Sequence, residues 1–411
     1  MPTDTSRSTS TPTSTPTFTA PTVVGYRALL RNREFAGLYA GFTLTVAAGT
    51  LSGFALGTLV DRQTQSPFLT AVSMYGATFA TVLGALTLMS VADGSRPRRT
   101  LLALQCVSFA AVAAQAVPGL PLATRFGLLL VVGFFQSLAT GTRMGLLVEV
   151  IPDSAYAPAR SLMNITSGGM AVLGYAVGAV LLRHLSPREV FIVAAALTGI
   201  GLVLVWATIR EHSIRLTRRP GLRETWTANI ALFSRPGRRA LLLNLWVPNG
   251  LIVGCEALFI SYDPELASVL LGAGSAGMLL GDLTVGRLLT ADQRRRWAFA
   301  LRLLLAAPYL VFAVHPPVLV ATAAVFVASA GFAATLPLQE QLLASTPDPV
   351  RGQVQGVESA GRMTWQGIGA AIAGGVAQYL TPGTTISVLA AVSLTITVFS
   401  RRACHLGSAH T

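Results

Sequence analysis

The sequence predicts an all-α membrane protein with about twelve transmembrane helices, and three observations support this fold class. Of the 411 residues, 52% are hydrophobic and only 11% are charged, whereas roughly 25% of the residues in a soluble domain are charged. Long apolar runs follow one another along most of the chain, and short connectors rich in arginine separate them. One soluble core cannot hide so much apolar surface, so lipid is the expected solvent.

The predicted helices are runs of mostly apolar residues, about 20 of which are needed to cross a bilayer. The runs that reach or approach this length are 35–60, 68–91, 100–117, 121–150, 164–183, 187–209, 240–262, 266–289, 298–314, 317–343, 360–380 and 384–400. The runs at 100–117 and 298–314 are short, and the run at 121–150 is long enough to tilt. An even number of spans places both termini on the same side of the membrane.

The arginine residues predict the orientation, because basic residues concentrate in cytoplasmic connectors. If the N-terminus is cytoplasmic, the inside connectors hold the arginine clusters within 96–99, 210–239 and 294–296. The outside connectors then hold only Arg62, Arg125, Arg183 and Arg188. We therefore expect both termini on the cytoplasmic side of a bacterial inner membrane that the chain crosses many times.

The basic character of the chain is assigned to lipid and not to nucleic acid. The formal net charge is +13, a balance that in a soluble protein suggests nucleic acid. Here the arginines sit in short connectors between apolar runs, where they meet lipid headgroups. Residues 1–22 are rich in Ser, Thr and Pro. They lack the apolar stretch of a cleavable signal peptide, so we expect a disordered tail.

The longest polar connector, 210–239, divides the predicted helices into two groups of six. The expected organisation is a disordered tail at 1–22, a first six-helix bundle at 23–209, a basic cytoplasmic linker at 210–239, a second six-helix bundle at 240–402 and a tail at 403–411. The linker either lies on anionic headgroups or serves as a solvated hinge. An internal repeat supports the division, because Pro152-Asp153 and Pro347-Asp348 each precede a glycine-rich helix.

Two segments of the chain carry a family resemblance. Residues 140–152 end the fourth run, and residues 348–356 precede the eleventh. They resemble the matching parts of major facilitator superfamily transporters, most closely the bacterial efflux-type branch related to macrolide exporters. The resemblance extends from about Arg27 to Arg402, and it implies the major facilitator fold and secondary transport by alternating access.

Two family motifs are present in altered form. The cytoplasmic loop motif, which in the family latches the two halves together, keeps Asp93, Arg96, Arg98 and Arg99. The antiporter motif of the fifth helix is found at 174–178, where Tyr175 replaces the proline of the family. The resemblance therefore implies a monomeric, proton-coupled exporter of a small hydrophobic or amphiphilic compound, without enzyme activity and without a cofactor.

Glu256 is the sharpest candidate for a coupling residue, because it is an ionisable side chain inside the apolar seventh run. A charge at the centre of a membrane helix costs about 2.5–3.5 kcal/mol on insertion scales, so such a residue is a functional hypothesis. Glu256 either exchanges a proton or pairs with a cationic substrate; alternatively, it is hydrogen-bonded to a neighbouring helix or lies nearer the outer interface.

Asn249 precedes Glu256 by seven residues and therefore lies on about the same helical face. Pro248 and Gly250 on either side of it could interrupt the helix, and interrupted helices in transporters often border the binding site. A tolerated kink for packing is the alternative.

Other polar residues in apolar runs are further candidates for coupling or substrate binding: Gln136, Arg143, Gln339 and Tyr39. For Arg143, a side chain that extends to the headgroups is favoured over substrate binding. A second set of charged residues is expected to form gating ion pairs: Asp93, Arg98, Glu149, Asp282, Glu358 and Arg362. Glu358 and Arg362 are four residues apart and should pair locally. The acids Glu149, Asp282 and Glu340 should pair with arginines at 96–99 or 294–296.

Several other function classes are disfavoured. The chain contains no Lys and so has no P-loop for a nucleotide. Cys106, Cys255 and Cys404 do not have the spacing of a metal or redox pair. A small molecule, protons and lipid are the expected partners. A metabolite importer of the same fold, and a membrane sensor or scaffold that does not transport, remain as alternatives to export.

Overall fold

A computed structural model describes residues 26–92, 96–211, 233, 235–347 and 351–406, and every regular element in this part of the chain is a helix. Long helices coincide with all of the predicted runs. They are α1 (Arg33–Thr64), α2 (Pro67–Tyr75 and Ala77–Ala92), α3 (Pro97–Gln115), α4 (Leu122–Val150), α5 (Asp153–His184), α6 (Pro187–Thr208), α7 (Pro236–Ala257), α8 (Ala267–Leu288), α9 (Ala291–Ala306), α10 (Val318–Ala330 and Thr335–Ala344), α11 (Arg351–Val376) and α12 (Pro382–Leu406). The predicted fold class is therefore confirmed.

Short irregular pieces complete these helices. A 3₁₀ helix at Ala307–Val314 continues α9, and a 3₁₀ turn at Gly331–Ala334 joins the two parts of α10. Short helices at Tyr26–Arg31 and Phe259–Tyr262 precede α1 and follow α7. With its 3₁₀ extension, α9 reaches a length of 24 residues, which explains how the short predicted run at 298–314 belongs to a full span.

Ten helices in the described part of the chain are long and apolar enough to cross a membrane, so the protein is a multi-pass membrane protein. The two other long helices, α3 and α11, have 19 and 26 residues. Both carry charged side chains: α3 begins with Arg98 and Arg99, and α11 holds Glu358 and Arg362. They pack against spanning helices and are long enough to span, so lower apolar character rather than length separates them from the other ten.

The helices form two bundles, α1–α6 and α7–α12, in the arrangement of the major facilitator fold. Between the bundles, α2 packs on α11 and α5 packs on α8. These two contacts are equivalent under the internal repeat, because in each case the second helix of one half meets the fifth helix of the other half. Glycines bring the backbones close at these contacts; Gly374, for example, lies against the backbone of Phe68.

The helices at the ends of the two bundles have the following bounds. The first bundle ends with α6 at Thr208, and the second begins with α7 at Pro236. At the other end, α12 continues to Leu406 and so extends past the predicted limit at 402. The predicted tail at 1–22 and most of the predicted linker lie outside the described residues.

Side-chain hydrogen bonds join the two bundles at both faces of the molecule. On the face away from the linker, Ser261 donates to Asp61 at 3.1 Å and Gln378 donates to Ser66 at 2.9 Å. On the linker face, Arg287 reaches the hydroxyl of Tyr26 at 3.5 Å. Among the described residues, the shorter bonds between the bundles therefore lie on the face away from the linker.

The contact between α7 and α11 gives a test of the packing. Gly369 in α11 lies directly against the carbonyl oxygen of Gly250, and a methyl group at position 369 would overlap that oxygen. We expect G369A to push the two helices apart and to lower the midpoint of thermal unfolding in detergent, since overpacking costs about 1–3 kcal/mol. G375A in the same helix is the matched control, because nothing lies within 4 Å of a methyl group there. Equal midpoints for the two variants would contradict the close approach.

Candidate functional site

Glu256 lies in the last turn of α7, nearer the face away from the linker than the middle of the predicted span. Its side chain is half-buried, and the hydroxyl groups of Tyr309 and Ser329 lie beside its carboxyl. Both hydroxyls are buried, and neither forms a hydrogen bond of ordinary geometry to any described residue, Glu256 included. Because a buried hydroxyl without a partner is costly, the Glu256 carboxyl is the acceptor that these two groups face.

Two tyrosines of the first bundle are also close to Glu256. The carboxyl is near enough for its charge to act on the hydroxyls of Tyr75 and Tyr175. Tyr175 is the residue that replaces the proline of the antiporter motif, and its ring packs edge-on against Phe54 with 5.9 Å between ring centres. The hydroxyls of Tyr309 and Ser329 thus lie beside the carboxyl, and two tyrosines of the first bundle pack against the same core of the second bundle.

Asn249 and Glu256 contact the same neighbouring helices, as their seven-residue spacing predicts. Asn249 accepts a hydrogen bond from Arg302 in α9 and donates to Thr335 in α10 at 3.4 Å. One layer farther along, Glu256 faces the hydroxyls from the 3₁₀ extension of α9 and from α10. We call these two layers between α7, α9 and α10 the polar seam.

Arg302 holds the first layer of the polar seam together. Its side chain is 2% exposed; Nη1 donates to Asn249 Oδ1, Nη2 donates to the backbone oxygen of Asn244, and Nε donates to Asn244 Oδ1 at 3.2 Å. Pro248 has no N–H for the carbonyl four residues earlier, which is that of Asn244. Arg302 therefore supplies the donor that Pro248 removes, and α7 stays helical through the proline. Asn249, itself 2% exposed, is engaged in this layer in the present conformation.

Arg143 does not extend to the headgroups, so that expectation is wrong. The side chain is 4% exposed, and its guanidinium lies over the ring of Phe42 in α1, 5.0 Å from the ring centre. The face of an aromatic ring attracts a cation, which offsets part of the cost of burying the charge. Gly49 and Gly53 share this side of α1 with Phe42, and nothing lies within 4 Å of a methyl group placed at either glycine. Arg143 therefore lies beside an open face of α1.

The remaining coupling candidates have separate surroundings. The hydroxyl of Tyr39 shares a hydrogen bond with Thr166 in α5 at 2.6 Å. Gln136 is exposed on α4, and Gln339 in α10 donates to Glu358 at 3.0 Å. The structure therefore does not bring all six candidates together; only Asn249 and Glu256 share the polar seam.

A charged cluster in the second bundle contains Glu358, Arg362 and Asp282. The predicted pair at four-residue spacing is confirmed, since Arg362 Nε lies 3.1 Å from Glu358 Oε1. Arg362 is also the cation whose charge acts on the exposed Asp282 in α8. Arg362 thus acts on Asp282 in place of the arginines at 294–296, which were expected to pair with this acid. Glu340 does pair with one of those arginines, Arg294, at 2.7 Å.

The other predicted gating residues lie apart from this cluster. Asp93 is outside the described residues. Arg98 donates to the backbone oxygen of Trp206 at 2.8 Å and lines a cleft of about 630 Å³ on the linker face. Glu149 is half-buried near the end of α4. Within the described part of the chain, no group of three His, Cys, Asp or Glu residues could hold a metal ion.

Arg302, Tyr309 and Ser329 are not among the residues that the sequence predicts. A signal for Arg302 does exist, because it is an arginine inside an apolar run and so meets the criterion that selects Glu256. Pro248 adds a second signal, since it implies an unpaired carbonyl at Asn244. No such signal marks the two hydroxyl residues, because membrane helices contain many hydroxyl side chains that bond only to their own backbone.

Solved structures with the same architecture are transporters. The nucleoside transporter NupG matches with a TM-score of 0.76 at 13% identity, over 90% of this chain and 100% of that one. A D-xylose–proton symporter gives 0.70 at 13% identity, over 90% and 97%. A bacterial homologue of the human lysosomal transporter Spinster, in an inward-facing and unoccupied conformation, gives 0.65 at 12% identity, over 94% and 96%. No protein-family model and no curated protein sequence matches the chain. At these identities the likeness shows the fold, which is that of the major facilitator transporters.

The role of Arg302 can be tested with Pro248 as its counterpart. R302M removes the hydrogen-bond donor from the backbone oxygen of Asn244 and from the side-chain oxygen of Asn249. Each buried unsatisfied group costs about 1–3 kcal/mol. We expect a lower midpoint of thermal unfolding. P248A restores a backbone N–H that bonds Asn244, so R302M should cost less in that background, and a double-mutant cycle measures the difference. An equal loss in both backgrounds would show that Arg302 does not replace the missing hydrogen bond.

Proposed function

We propose that the protein is a secondary transporter that exports a small hydrophobic or amphiphilic compound in exchange for protons, by alternating access. The observation that carries this proposal is the half-buried carboxyl of Glu256, which lies beside the hydroxyls of Tyr309 and Ser329 in a core against which Tyr75 and Tyr175 of the first bundle pack. The fold is shared with transporters for nucleosides and for D-xylose with protons.

A carboxyl in this position couples proton binding to movement of the bundles. When the bundles pack together, water leaves the site, and an ionised carboxyl then loses hydration while the protonated form loses little. When the bundles separate on either face, the ionised form becomes solvated again. The protonated and ionised forms of Glu256 therefore favour different arrangements of Tyr75 and Tyr175 relative to the second bundle, which is the requirement for coupling.

The substrate is proposed to be amphiphilic because the open face of α1 combines apolar and polar groups. Phe42 and the two bare glycines offer an apolar surface, and Arg143 lies beside them as a cation in protein of low dielectric. Tyr39 on α1 and Gln136 on α4 are proposed as further polar contacts for the substrate. In the second bundle, Asn249 and Gln339 are assigned as polar contacts that become available when the bundles rearrange.

Gating is proposed for the charged cluster of Asp282, Glu358 and Arg362, with Arg98, Glu149 and Asp93 as its counterparts on the first bundle. In the described conformation, Arg362 is satisfied within its own bundle. Closure of the linker face would bring the two charged sets together, and the exposed Asp282 is free to exchange partners at that point.

Export is the proposed direction because of the resemblance to efflux transporters, and Gly174 and Gly178 carry the altered antiporter motif. The second candidate function is import coupled to protons, which the D-xylose–proton symporter with the same fold favours. We further propose that the chain works as a monomer in the bacterial inner membrane with both termini in the cytoplasm.

Glu256 gives the central test of coupling. We expect E256Q to lower proton-driven uptake of fluorescent amphiphilic dyes into inside-out vesicles by at least about tenfold, which corresponds to about 1.4 kcal/mol. The physical reason is that an amide cannot exchange a proton. Flux is measured with the vesicle lumen held acidic and again without a gradient, where E256Q should match the unmodified protein.

E265Q is the matched control, because Glu265 is an exposed acid on the connector between α7 and α8 and its loss leaves the Glu256 carboxyl intact. If E256Q and E265Q respond equally to the gradient, Glu256 has no part in coupling. If intact cells accumulate the dyes instead of excluding them, the import alternative replaces export.

Orientation has an independent test. Green fluorescent protein fused after residue 411 should fluoresce in bacterial cells, because it folds only in the cytoplasm. Alkaline phosphatase fused at Gly119, between α3 and α4, should be active, because that connector is predicted to lie outside. An active phosphatase at the C-terminus would reverse the proposed orientation.

A further inference from the structure

Asp61 is a second buried acid, and the polar seam does not use it. It lies near the end of α1, on the face away from the linker, and is 7% exposed. Its Oδ1 atom accepts hydrogen bonds from Thr70 in α2 at 3.2 Å and from Ser261, in the short helix after α7, at 3.1 Å. The bond from Ser261 joins the two bundles.

The bond between Asp61 and Ser261 differs from the other bond on this face. Gln378 and Ser66 are both neutral, and their contact is exposed. The bond from Ser261 to Asp61 is part-buried, and an ionised acceptor makes it about twice as strong as a bond between neutral groups. Thr70 fixes the carboxylate from within the first bundle, so only the contact with Ser261 must break when the bundles separate.

At this contact, the carboxyl of Asp61 is the group whose charge can change with pH. Arg62, the next residue along α1, is the charged neighbour that acts on it, and arginine keeps its proton at every accessible pH. From α2 and from the short helix after α7, the groups that face the carboxyl are the hydroxyls of Thr70 and Ser261, which do not titrate in this range. A change of charge at this contact therefore means protonation of Asp61.

We propose that Asp61 is a second coupling residue, whose ionised carboxylate holds the two bundles together on the face away from the linker and whose protonation releases them. This inference rests on the proposed alternating access and adds control of the gate to it. Protonation turns a charge-assisted acceptor into a neutral one, so the bond from Ser261 weakens. Under the proposed orientation, protons arriving from outside open the face through which they enter.

The test measures the gate rather than transport. Spin labels are attached at Q63C and Y379C, two exposed positions on opposite bundles, after Cys106 and Cys404 have been replaced by Ser. Double electron–electron resonance in nanodiscs then reports the distance between the bundles at pH 8 and pH 5. We expect one short distance at pH 8 and an added longer distance at pH 5. D61N should show the longer distance at both values, and S261A should raise the share of the open form at pH 8 by about tenfold, the effect of one charge-assisted hydrogen bond.

Two further variants separate the possible failures. Q378A removes the neutral bond between the bundles and should keep the full pH response; a loss of that response equal to the loss in D61N would overturn the assignment to Asp61. E256Q fixes the charge in the polar seam, and a response lost in E256Q but retained in D61N would place the gate's proton on Glu256 instead. Should D61N fail to fold, S261A decides, because unchanged distances in S261A overturn the proposal. None of these outcomes depends on dye flux, so the export proposal can fail while this one stands.

Discussion

Pro248 deprives α7 of one backbone hydrogen bond, because it has no N–H for the carbonyl oxygen of Asn244. The polar seam of the second bundle is arranged around that oxygen. In a bilayer no water is present to satisfy such a group, so its partner must come from the protein. Arg302 provides that partner, and a buried guanidinium must itself be satisfied. The side chains of Asn244 and Asn249 complete the set. One missing N–H thus accounts for an arginine in α9 and two asparagines in α7.

The acid lies one layer beyond this arginine. Arg302 links α9 to Asn244 and Asn249 of α7, and Glu256 and Tyr309 lie seven positions farther along the chain from Asn249 and Arg302. The hydroxyls of Tyr309 and of Ser329 in α10 lie beside the Glu256 carboxyl. The seam that stabilises an interrupted helix therefore continues to this carboxyl. Stability and the proposed coupling rest on the same register, so substitutions in the first layer should affect both.

Much of the fold can be predicted from the sequence, because lipid imposes a simple rule: a span needs length and apolar character. All twelve runs are helices, and the pairing of Glu358 with Arg362 follows from helical spacing alone. Contacts between distant segments cannot be read in this way. Asp61 lies at the end of an apolar run, where an acid is expected to be hydrated, yet it is buried and accepts a hydrogen bond from Ser261, 200 residues away. The burial of Arg143 is likewise not visible in the sequence, because its contact with Phe42 joins two helices that are distant along the chain.

The two faces of the molecule are held in different ways, and this difference bears on how the bundles can move. On the face away from the linker, the bundles share the bonds of Asp61 with Ser261 and of Ser66 with Gln378. Towards the linker, Glu358 and Arg362 form an ion pair within the second bundle. Separation of the bundles there leaves this ion pair intact. Among the described residues, opening that face breaks the contact of 3.5 Å between Arg287 and Tyr26, and opening the opposite face breaks the shorter bond of a buried carboxylate. A change in the charge of that one carboxylate is therefore large enough to change the balance between the two faces.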